Sequence, residues 1–262
     1  MVIDCLVMSA LDTGHRFRRP KGAPPLVFGH RGVRGEAPEN TMTAFELAAS
    51  GGAAGVELDV RLCRSGEVVV CHDPSLERMT GGRDSRHVAD LTLAELQRID
   101  VGNGERVPRL EQVLGWARAR PMLVNVELKR DVPNRVRLVR ETARLLVGLG
   151  AALESIVVSS FDPWMLAYLG WLLPRATRGW LFGPDQKVEA RTAGLVAVVM
   201  GADAVHPERT LVAPEPCRIW KRRGKLINVW TVNDPGEARA LSEMGVDAMF
   251  TDVPRAIVAV LT

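Results

Sequence analysis

Four short polar clusters in this chain combine residue types that can carry out acid/base chemistry, and each directly follows an apolar run typical of a β-strand. The clusters are His30-Arg31-Gly32, Glu57-Leu58-Asp59, His72-Asp73 and Glu127-Leu128-Lys129. Residues two apart on a strand point to the same face, so the two charged residues of the second cluster share a face, as do those of the fourth. Three carboxylates, two imidazoles and two cations can therefore converge on one pocket. This combination suits metal-assisted chemistry on an anionic substrate.

The carboxylates of Glu57, Asp59 and Glu127 are candidate ligands for one divalent cation. Hard oxygen ligands favour Mg²⁺ or Ca²⁺, and a cation would offset the repulsion among three neighbouring negative charges. The alternative is a structural network in which the carboxylates pair with nearby arginine and lysine side chains. The cluster predicts one divalent cation bound by the three carboxylates.

His30 and His72 are candidates for a general acid and a general base, because imidazole titrates near neutral pH. The alternative is a buried histidine that serves only as a hydrogen-bonding group. Arg31 and Lys129 are placed to hold a phosphate, the arginine through a bidentate fork and the lysine as a point charge, although both could instead balance the carboxylates. Trp230, at the end of a later strand, could form an apolar wall beside the substrate or pack in the core.

Nine strand-like runs alternate with helical patterns along most of the chain. They are Leu26–Gly29, Gly55–Leu62, Val68–Cys71, Met122–Leu128, Ser155–Ser159, Arg178–Leu181, Asp203–His206, Leu226–Thr231 and Ala248–Thr251. The second and third runs are too close for the crossover that parallel neighbours need, so the third must fold back as an antiparallel hairpin. The other eight predict an α/β fold, a (β/α)8 TIM barrel, with an insertion at about 64–108 after its second strand.

A two-residue turn at Ser65-Gly66 would set the register of this hairpin. Counting back from the turn puts Asp59 opposite His72, so the histidine is expected beside the carboxylates of the second strand. The same register puts Cys63 and Cys71 on opposite faces, which argues against a disulfide between them.

The overall composition is that of an ordinary globular chain of 262 residues with a formal net charge of +3. The charge is small and its basic runs are not interleaved with aromatic residues, so we expect no nucleic acid partner. Four cysteines without metal-type spacing indicate reduced thiols. Residues 1–25 form a basic, proline-bearing lead-in on the surface, and 26–262 form one domain. The apolar segment Met1–Ala10 lacks the basic start of a signal peptide and is too short to span a bilayer, which predicts a cytoplasmic protein.

A separate pattern occupies Pro163 to Pro174. Three leucines share one face of the predicted helix, and three aromatic residues share the opposite face at spacing i, i+4, i+7. The aromatic residues are Trp164, Tyr168 and Trp171. If the leucines pack on the barrel, the aromatic residues face outward, and an exposed aromatic stripe usually marks a contact surface. This predicts a homodimer interface or a peripheral membrane contact, unless a neighbouring helix covers the stripe.

Seven motifs in this order resemble those of the glycerophosphodiester phosphodiesterase family. They are His-Arg-Gly at 30–32, Pro-Glu-Asn-Thr at 38–41, Val-Glu-Leu-Asp at 56–59, His-Asp at 72–73, Glu-Leu-Lys at 127–129, Ser-Ser-Phe at 159–161 and Trp-Thr-Val-Asn at 230–233. The likeness extends from about Leu26 to Pro254. It implies a barrel with a small insertion and the following site: a divalent cation on Glu57, Asp59 and Glu127, an acid/base pair of His30 and His72, and a phosphate held by Arg31 and Lys129.

The resemblance also implies a reaction, the metal-dependent hydrolysis of a small-molecule glycerophosphodiester to sn-glycerol 3-phosphate and an alcohol. In this family the glycerol 2-hydroxyl would attack phosphorus, and water would open the resulting cyclic phosphate. One alternative is a lysophospholipase D that acts at a membrane surface through the aromatic stripe. Another is a barrel that binds phosphodiesters without turnover, although such a barrel would need no pair of histidines. Cys63 and Cys71 depart from the family, which more often has a threonine and an aromatic residue there.

Overall fold

Eight parallel strands form a closed β-barrel in a computed structural model that describes residues 15–186 and 190–262. The strands are β1 (Leu26–His30), β2 (Gly55–Leu62), β3 (Val68–Val70), β4 (Leu123–Leu128), β5 (Ile156–Ser160), β6 (Thr177–Phe182), β7 (Ala204–Pro207), β8 (Leu226–Val229) and β9 (Ala248–Thr251). Their order is β1-β9-β8-β7-β6-β5-β4-β2, and the pairing of β1 with β2 closes the barrel. β3 is the additional strand and lies antiparallel to β2. The predicted TIM barrel is confirmed.

Helices surround the barrel and cover the outer side of its strands. They are α1 (Met42–Ser50), α2 (Leu93–Leu96), α3 (Leu110–Ala119), α4 (Arg135–Val147), α5 (Pro163–Leu172), α6 (Ala190–Val199), α7 (Pro214–Arg222), α8 (Pro235–Glu243) and α9 (Pro254–Leu261). Four of them begin with a proline, which suits the first turn because its missing N–H would have no partner there. The strands are almost entirely buried, and β2 and β4 carry polar or charged residues at alternate positions between apolar ones.

The hairpin of β2 and β3 forms as predicted, but its turn is one residue longer than expected. The amide of Cys63 donates to the carbonyl of Glu67 at 3.1 Å and closes a three-residue loop, Arg64-Ser65-Gly66. The last loop residue has φ of 103°, in the left-handed region that glycine adopts without a steric penalty. The prediction of a two-residue turn was therefore wrong, and every cross-strand pair shifts by one position.

The corrected register changes which residue lies opposite Asp59. The amide of Cys71 donates to the carbonyl of Asp59 at 2.9 Å, so Cys71 takes the place predicted for His72. Cys63 and Cys71 then share a face, contrary to the prediction, and both are buried, unpaired thiols in a small apolar core under the insertion. The expected absence of a disulfide between them agrees with the structure, although the reason given for it was wrong. Cys5 lies outside the described residues.

The described part of the lead-in is only partly a surface segment. Phe17 is fully buried and stacks on Phe28 of β1, with ring centroids 6.3 Å apart. The guanidinium of Arg19 donates to the carbonyl of Ser242 at 2.7 Å. Residues 15–25 are therefore held against the barrel by an aromatic contact and by hydrogen bonds, in addition to their exposed basic side chains. Met1 to Ala10 lie outside the described residues.

The helix that carries the aromatic stripe packs as its sequence predicts, except that Tyr168 is half-buried against the core. Met165, Leu166 and Leu169 of α5 are buried against the barrel, whereas the side chains of Trp164 and Trp171 are 82% and 75% exposed. No neighbouring helix in the described residues covers these two tryptophans. Among the same residues, none of the helices has the length and apolar character needed to cross a bilayer.

A buried histidine occupies the barrel interior. His206 on β7 is fully buried, and its Nε2 lies 2.9 Å from the amide nitrogen of Asn228 on β8. There is room for the ring because Gly179 on β6 lacks a side chain, since a Cβ there would lie 2.2 Å from the imidazole Nε2. Burial lowers the pKa of His206 to about 3, so the ring stays neutral and accepts the hydrogen bond from the amide.

We expect His206 to make the stability of the protein depend on pH. In the unfolded chain the imidazole titrates near pH 6.5, whereas in the folded chain it stays neutral down to about pH 3. Its contribution is therefore complete above pH 6.5 and decreases as the pH falls through that range. Between pH 7.5 and pH 5 the loss from this group is about 2 kcal/mol.

The measurement is the free energy of unfolding by denaturant at both pH values, for the wild type and for His206→Gln. The variant is expected to be less stable at pH 7.5 and to lose about 2 kcal/mol less on acidification. An equal loss in the two proteins would contradict the assignment.

Candidate active site

The four polar clusters meet at the carboxyl ends of the barrel strands, around one cavity of about 170 Å³ that opens to solvent. Seven of the eight residues predicted for the site line this cavity: His30, Arg31, Glu57, His72, Glu127, Lys129 and Trp230. Asp59, the eighth, is 1% exposed and contacts the others from beneath. The structure therefore brings together all the residues that the sequence selected.

The three carboxylates come together through the pairing of β2 with β4. Asp59 pairs with Glu127 in the parallel ladder, and Glu57 lies two residues earlier on the same face of β2. One oxygen from each carboxylate lies within 4.8 Å of one oxygen from each of the others, and all three residues are buried. The arrangement places three anionic groups within the reach of a single ion.

Burial and mutual repulsion act most strongly on Glu57. Its burial, together with the charges of Asp59 and Glu127, raises the pKa of Glu57 well above the usual range. The amide of Arg31 donates to Oε2 of Glu57 at 3.0 Å and offsets part of this effect. A carboxylate in this position is stable in its charged form only if positive charge is close to it.

The pKa of Asp59 is shifted in the opposite direction from that of Glu57. Burial alone would raise its pKa, but Lys129, Arg31 and the amide of Asn40 lower the pKa of Asp59 well below its usual range. Lys129 Nζ lies 3.2 Å from Oδ1 of Asp59 and 2.9 Å from Oε1 of Glu127, and it stays protonated because both carboxylates raise the pKa of this lysine despite its burial. Asp59 is therefore a permanent anion held between two cations.

Arg31 is positioned by its backbone as well as by ion pairs. It follows β1 directly and has φ of 56°, which turns its amide toward Glu57. Its guanidinium donates to Glu39 at 3.1 Å, and its Nε lies 3.3 Å from Oδ2 of Asp59. The side chain is thus held at the cavity wall by two carboxylates, in a place where it can also contact an anionic substrate.

Each of the two histidines has one ring nitrogen held by a carboxylate. Nδ1 of His30 lies 2.7 Å from Oδ1 of Asp252, and Nδ1 of His72 lies 2.6 Å from Oδ1 of Asp73. A carboxylate at Nδ1 favours the N–H on that nitrogen and leaves Nε2 as the atom that exchanges a proton. Burial lowers the pKa of His72, and the nearby cations Lys129 and Arg31 lower it further, although the negative charge of Asp59 acts in the opposite direction. Both imidazoles are therefore oriented with Nδ1 toward a carboxylate and with Nε2 as the nitrogen that can exchange a proton.

The two carboxylates that hold the histidines are themselves held. The amide of Asn233 donates to Oδ2 of Asp252 at 2.8 Å. Nε of Arg78 donates to Oδ2 of Asp73 at 2.6 Å, while its two terminal nitrogens donate to Glu39 at 3.0 and 2.7 Å. Because Glu39 also contacts Arg31, the chain of ion pairs from His72 continues to the centre of the site.

The opposite wall of the cavity is apolar. It is formed by Phe161, Leu181, Trp230 and Phe250. Trp230 packs edge-to-face on Phe161 with ring centroids 5.5 Å apart, and its indole N–H donates to the carbonyl of His206 at 2.8 Å. Trp230 therefore both packs in the structure and faces the cavity, so the two interpretations of this residue do not exclude each other.

Comparisons with known proteins identify this kind of site. The family model for the glycerophosphoryl diester phosphodiesterase family matches residues 30–256. A glycerophosphodiester phosphodiesterase from Caldanaerobacter subterraneus is 31% identical over 245 residues, which cover 89% of this chain and 96% of the relative. The chain belongs to the glycerophosphoryl diester phosphodiesterase family. It is therefore an enzyme, a phosphoric diester hydrolase of the class that hydrolyses glycerophosphodiesters.

Solved structures of other phosphodiesterases show the same architecture. A phosphodiesterase from Oleispira antarctica, solved in complex with the product sn-glycerol-3-phosphate, has a TM-score of 0.79 and 25% identity, and the match covers 90% of this chain and 96% of the other. A glycerophosphodiester phosphodiesterase from Agrobacterium tumefaciens has a TM-score of 0.76 and 28% identity, with 90% and 99% covered. The resemblance seen in the sequence motifs is confirmed.

The acidic trio of this phosphodiesterase fits a divalent cation. Three buried carboxylate oxygens within 4.8 Å of one another match the hard-oxygen chemistry of Mg²⁺ and Ca²⁺. Burial, together with the charges of Asp59 and Glu127, raises the pKa of Glu57 despite the nearby Arg31. A cation would stabilise the charged form of Glu57, and the trio suits the divalent metal on which this family depends.

Sequence reasoning did not single out the residues that orient the two histidines. Asp252 directly follows β9, and this position after a strand is the signal by which the other clusters were found. Glu39 and Asn40 lie within the motif quoted at 38–41, but no role was assigned to them from the sequence. Asp73 was quoted beside His72 without a role. The contact of Asp252 with His30 joins residues 222 positions apart in the chain, so spacing alone could not reveal it.

We expect Asp252→Asn to lower kcat by about 10²-fold while changing KM little, because the variant loses the anion that orients His30 and balances its positive charge. The measurement is steady-state hydrolysis of glycerophosphocholine. Asp234→Asn is the matched control, since Asp234 caps α8 and asparagine is an equally good cap. A variant of Asp252 with the kcat of the control would contradict the role of the carboxylate.

Proposed function

We propose that this phosphodiesterase is metal-dependent and hydrolyses glycerophosphodiesters to sn-glycerol 3-phosphate and an alcohol, with His30 and His72 as its acid/base pair. The observation that carries the proposal is one cavity with two imidazoles, each oriented by a carboxylate at Nδ1, beside two buried cations and the acidic trio. The product complex of the similar Oleispira enzyme supports the choice of product. A protein that only binds phosphodiesters would have no use for two oriented imidazoles.

The charge of the site supports the need for a metal. Three carboxylates and two cations, Arg31 and Lys129, leave a net charge of about minus one when all are ionised, which repels a phosphodiester monoanion. A divalent cation on Glu57, Asp59 and Glu127 reverses the sign to about plus one. When bound, it would supply electrostatic stabilisation to the charged phosphoryl group. Arg31 and Lys129 then hold the phosphoryl oxygens.

The chemistry of the histidines follows from their free Nε2 atoms. One imidazole accepts the proton of the glycerol 2-hydroxyl as its oxygen forms a bond to phosphorus. The other donates its proton to the departing alcohol oxygen as the phosphorus–oxygen bond to that alcohol breaks. In the second stage water attacks phosphorus, its proton goes to one ring, and the bond to the 2-oxygen breaks with proton return from the other. The products are sn-glycerol 3-phosphate and the free alcohol.

The apolar wall of the cavity bears on which leaving alcohols the enzyme accepts. Phe161, Leu181, Trp230 and Phe250 offer surface without hydrogen-bond donors toward the cavity, apart from the indole N–H that His206 already accepts. Such a surface contacts carbon atoms and discriminates weakly among head groups. We propose that the enzyme accepts several alcohols, with Trp230 packing against the glycerol or the alcohol.

The decisive experiment identifies the phosphorus products of glycerophosphocholine hydrolysis. We expect sn-glycerol 3-phosphate, and phosphocholine would contradict the proposed bond cleavage. His30→Ala and His72→Ala are each expected to lower kcat by about 10²- to 10⁴-fold, since each removes one proton transfer. His87→Ala is the matched control, because His87 is exposed on the insertion and should keep full activity. Full activity in either site variant would refute the acid/base roles.

Metal binding is expected to raise the thermal stability of the protein as well as its activity. After chelation, addition of Mg²⁺ or Ca²⁺ at a hundred times its Kd should stabilise the folded state by about 2.7 kcal/mol, because the unfolded chain has no preformed site. Glu57→Gln should lose most of this stabilisation, whereas Glu111→Gln, whose side chain is 67% exposed, should retain it. The readout is the change in Tm on metal addition. Unchanged Tm together with full activity in chelator would refute the metal site.

A second candidate activity is hydrolysis of lysophospholipids in the manner of a lysophospholipase D. The exposure of Trp164 and Trp171 favours it, because a lipid substrate is met at a membrane surface. The same assay with a lysophospholipid distinguishes the two, since this activity would yield a lysophosphatidic acid and the free head-group alcohol.

A further inference from the structure

Three aromatic side chains on α5 form what we call the tryptophan face: Trp164, Tyr168 and Trp171. The two tryptophans are 82% and 75% exposed, although tryptophan is usually largely buried. The opposite side of α5 already packs on the barrel through Met165, Leu166 and Leu169. The exposure of the tryptophan face therefore does not come from a loosely packed helix, and it leaves a large apolar surface in contact with solvent.

The rings of the tryptophan face are ordered by one another and by an arginine. Tyr168 stacks on Trp171 with ring centroids 6.0 Å apart and planes 13° apart. The hydroxyl of Tyr168 accepts a hydrogen bond of 2.7 Å from Nε of Arg140 on α4. The apolar rings and a cationic group are thus part of one surface, which joins α4 to α5.

The surface next to the tryptophan face is positively charged. Four arginines of α4 are exposed. Arg140 contacts the tryptophan face, Arg135 pairs with Asp162 just before α5, Arg137 lies close to Gly66 of the hairpin, and Arg144 lines a groove between α3 and α4. The one acidic residue within α4 is Glu141, which accepts from Arg144 at 3.0 Å. α5 contains no acidic residue between Pro163 and Leu172, and its N-cap Asp162 pairs with Arg135 at 3.0 Å. Because positive charge exceeds negative charge on these two helices, an anionic surface complements them and a cationic one does not.

The tryptophan face lies beside the mouth of the active site. Phe161, which lines the cavity, is three residues before Trp164 and separated from it only by the residues that start α5. The guanidinium of Arg130, the residue after Lys129, lies 5.4 Å from the centre of the Phe161 ring. The aromatic and cationic surface therefore begins at the rim of the cavity and runs down the side of the barrel.

We propose that the tryptophan face, together with the arginines of α4, binds the surface of an anionic phospholipid bilayer. Indole and phenol rings are suited to the boundary between head groups and acyl chains, because they join an apolar body to a polar edge. Arginines beside them pair with lipid phosphates, and each basic residue near an anionic bilayer adds to the attraction. Trp164 adjoins the rim of the active-site cavity. An enzyme molecule bound to the bilayer through the tryptophan face therefore has the mouth of its active site at the edge of the membrane contact.

A second copy of the chain fits this surface less well. In a two-fold dimer the same patch faces itself, so the arginines of α4 on one subunit would approach those of the other. Like charges brought together in an interface oppose association. A bilayer of anionic lipids meets the same arginines with opposite charge. The proposal goes beyond the hydrolytic activity, and its test does not depend on turnover.

The experiment is co-sedimentation of the full chain with vesicles of phosphatidylcholine alone or mixed with phosphatidylglycerol. We expect binding to the mixed vesicles that weakens as salt is added, and little binding to phosphatidylcholine alone. Trp164→Ser with Trp171→Ser should lower the partition coefficient about 10-fold or more, because the apolar contact is lost. Arg140→Glu with Arg144→Glu should lower it at least about 30-fold.

A matched charge control is available on the far side of the barrel. Arg239 on α8 and Arg255 on α9 are exposed, and Arg239→Glu with Arg255→Glu changes the net charge by the same amount. This variant should bind mixed vesicles nearly as well as the wild type. All variants should hydrolyse glycerophosphocholine at the wild-type rate, which shows that they are folded.

Four results would contradict the proposal. The first is a wild type that does not bind mixed vesicles, and the second is unchanged binding in the double serine variant. The third is a dimer, seen by sedimentation velocity, that dissociates in the double serine variant, since this would assign the tryptophan face to a second copy of the chain. An equal loss of binding in the two charge variants would also refute a role for α4, because it would trace the binding to net charge alone.

Discussion

The parallel ladder between β2 and β4 is the interaction on which the active site depends. It sets Asp59 level with Glu127 and brings Glu57 to the same face, so three carboxylates are buried together. Burying like charges is costly unless positive charge accompanies them. Lys129 lies between two of these carboxylates, and Arg31 contacts both Glu57 and Asp59. The acidic trio also suits the divalent metal on which this family depends, and in our proposal that metal would complete the same charge balance.

Two unrelated parts of the chain orient the two histidines in the same way. His30 is held by Asp252 and Asn233 from the last strands of the barrel, whereas His72 is held by Asp73 and an arginine of the insertion. In both cases a carboxylate occupies Nδ1 and a further donor fixes the carboxylate. The closed barrel makes the first arrangement possible, because it places the end of β9 beside the end of β1. The insertion contributes the second one.

The surface formed by α4 and α5 begins at the rim of the active-site cavity and presents different chemical groups from those of the cavity. The cavity is lined by cations and by the acidic trio, which we propose bind a charged phosphodiester and a metal, whereas the neighbouring surface presents indole rings and arginines. These two surfaces share one residue type, arginine, and they are connected through Phe161 and Arg130. An enzyme of this family that works near lipid would gain from this proximity, because substrates and products of lipid turnover are concentrated there.

The sequence by itself determined the barrel, the hairpin and the eight residues that the structure brings together at one cavity. It could do so because each signal was local: an apolar run, a polar cluster at its end, a gap too short for a crossover. The same local reasoning predicted the exposed aromatic face of α5. These features depend on the periodicity of strands and helices, which is already present in a stretch of a few residues.

Only the tertiary structure decided the hairpin register, the partners of the histidines and the charge states of Glu57 and Asp59. A one-residue difference in loop length leaves the apolar pattern of β3 almost unchanged, since Val68, Val69 and Val70 can face either way, so the sequence could not distinguish the two registers. The Asp252 carboxylate lies 222 residues from His30 along the chain. Two neighbouring carboxylates of β2 differ in pKa because Lys129 and Asn40 contact only one of them. Distances across the folded barrel set these properties, and no local pattern contains them.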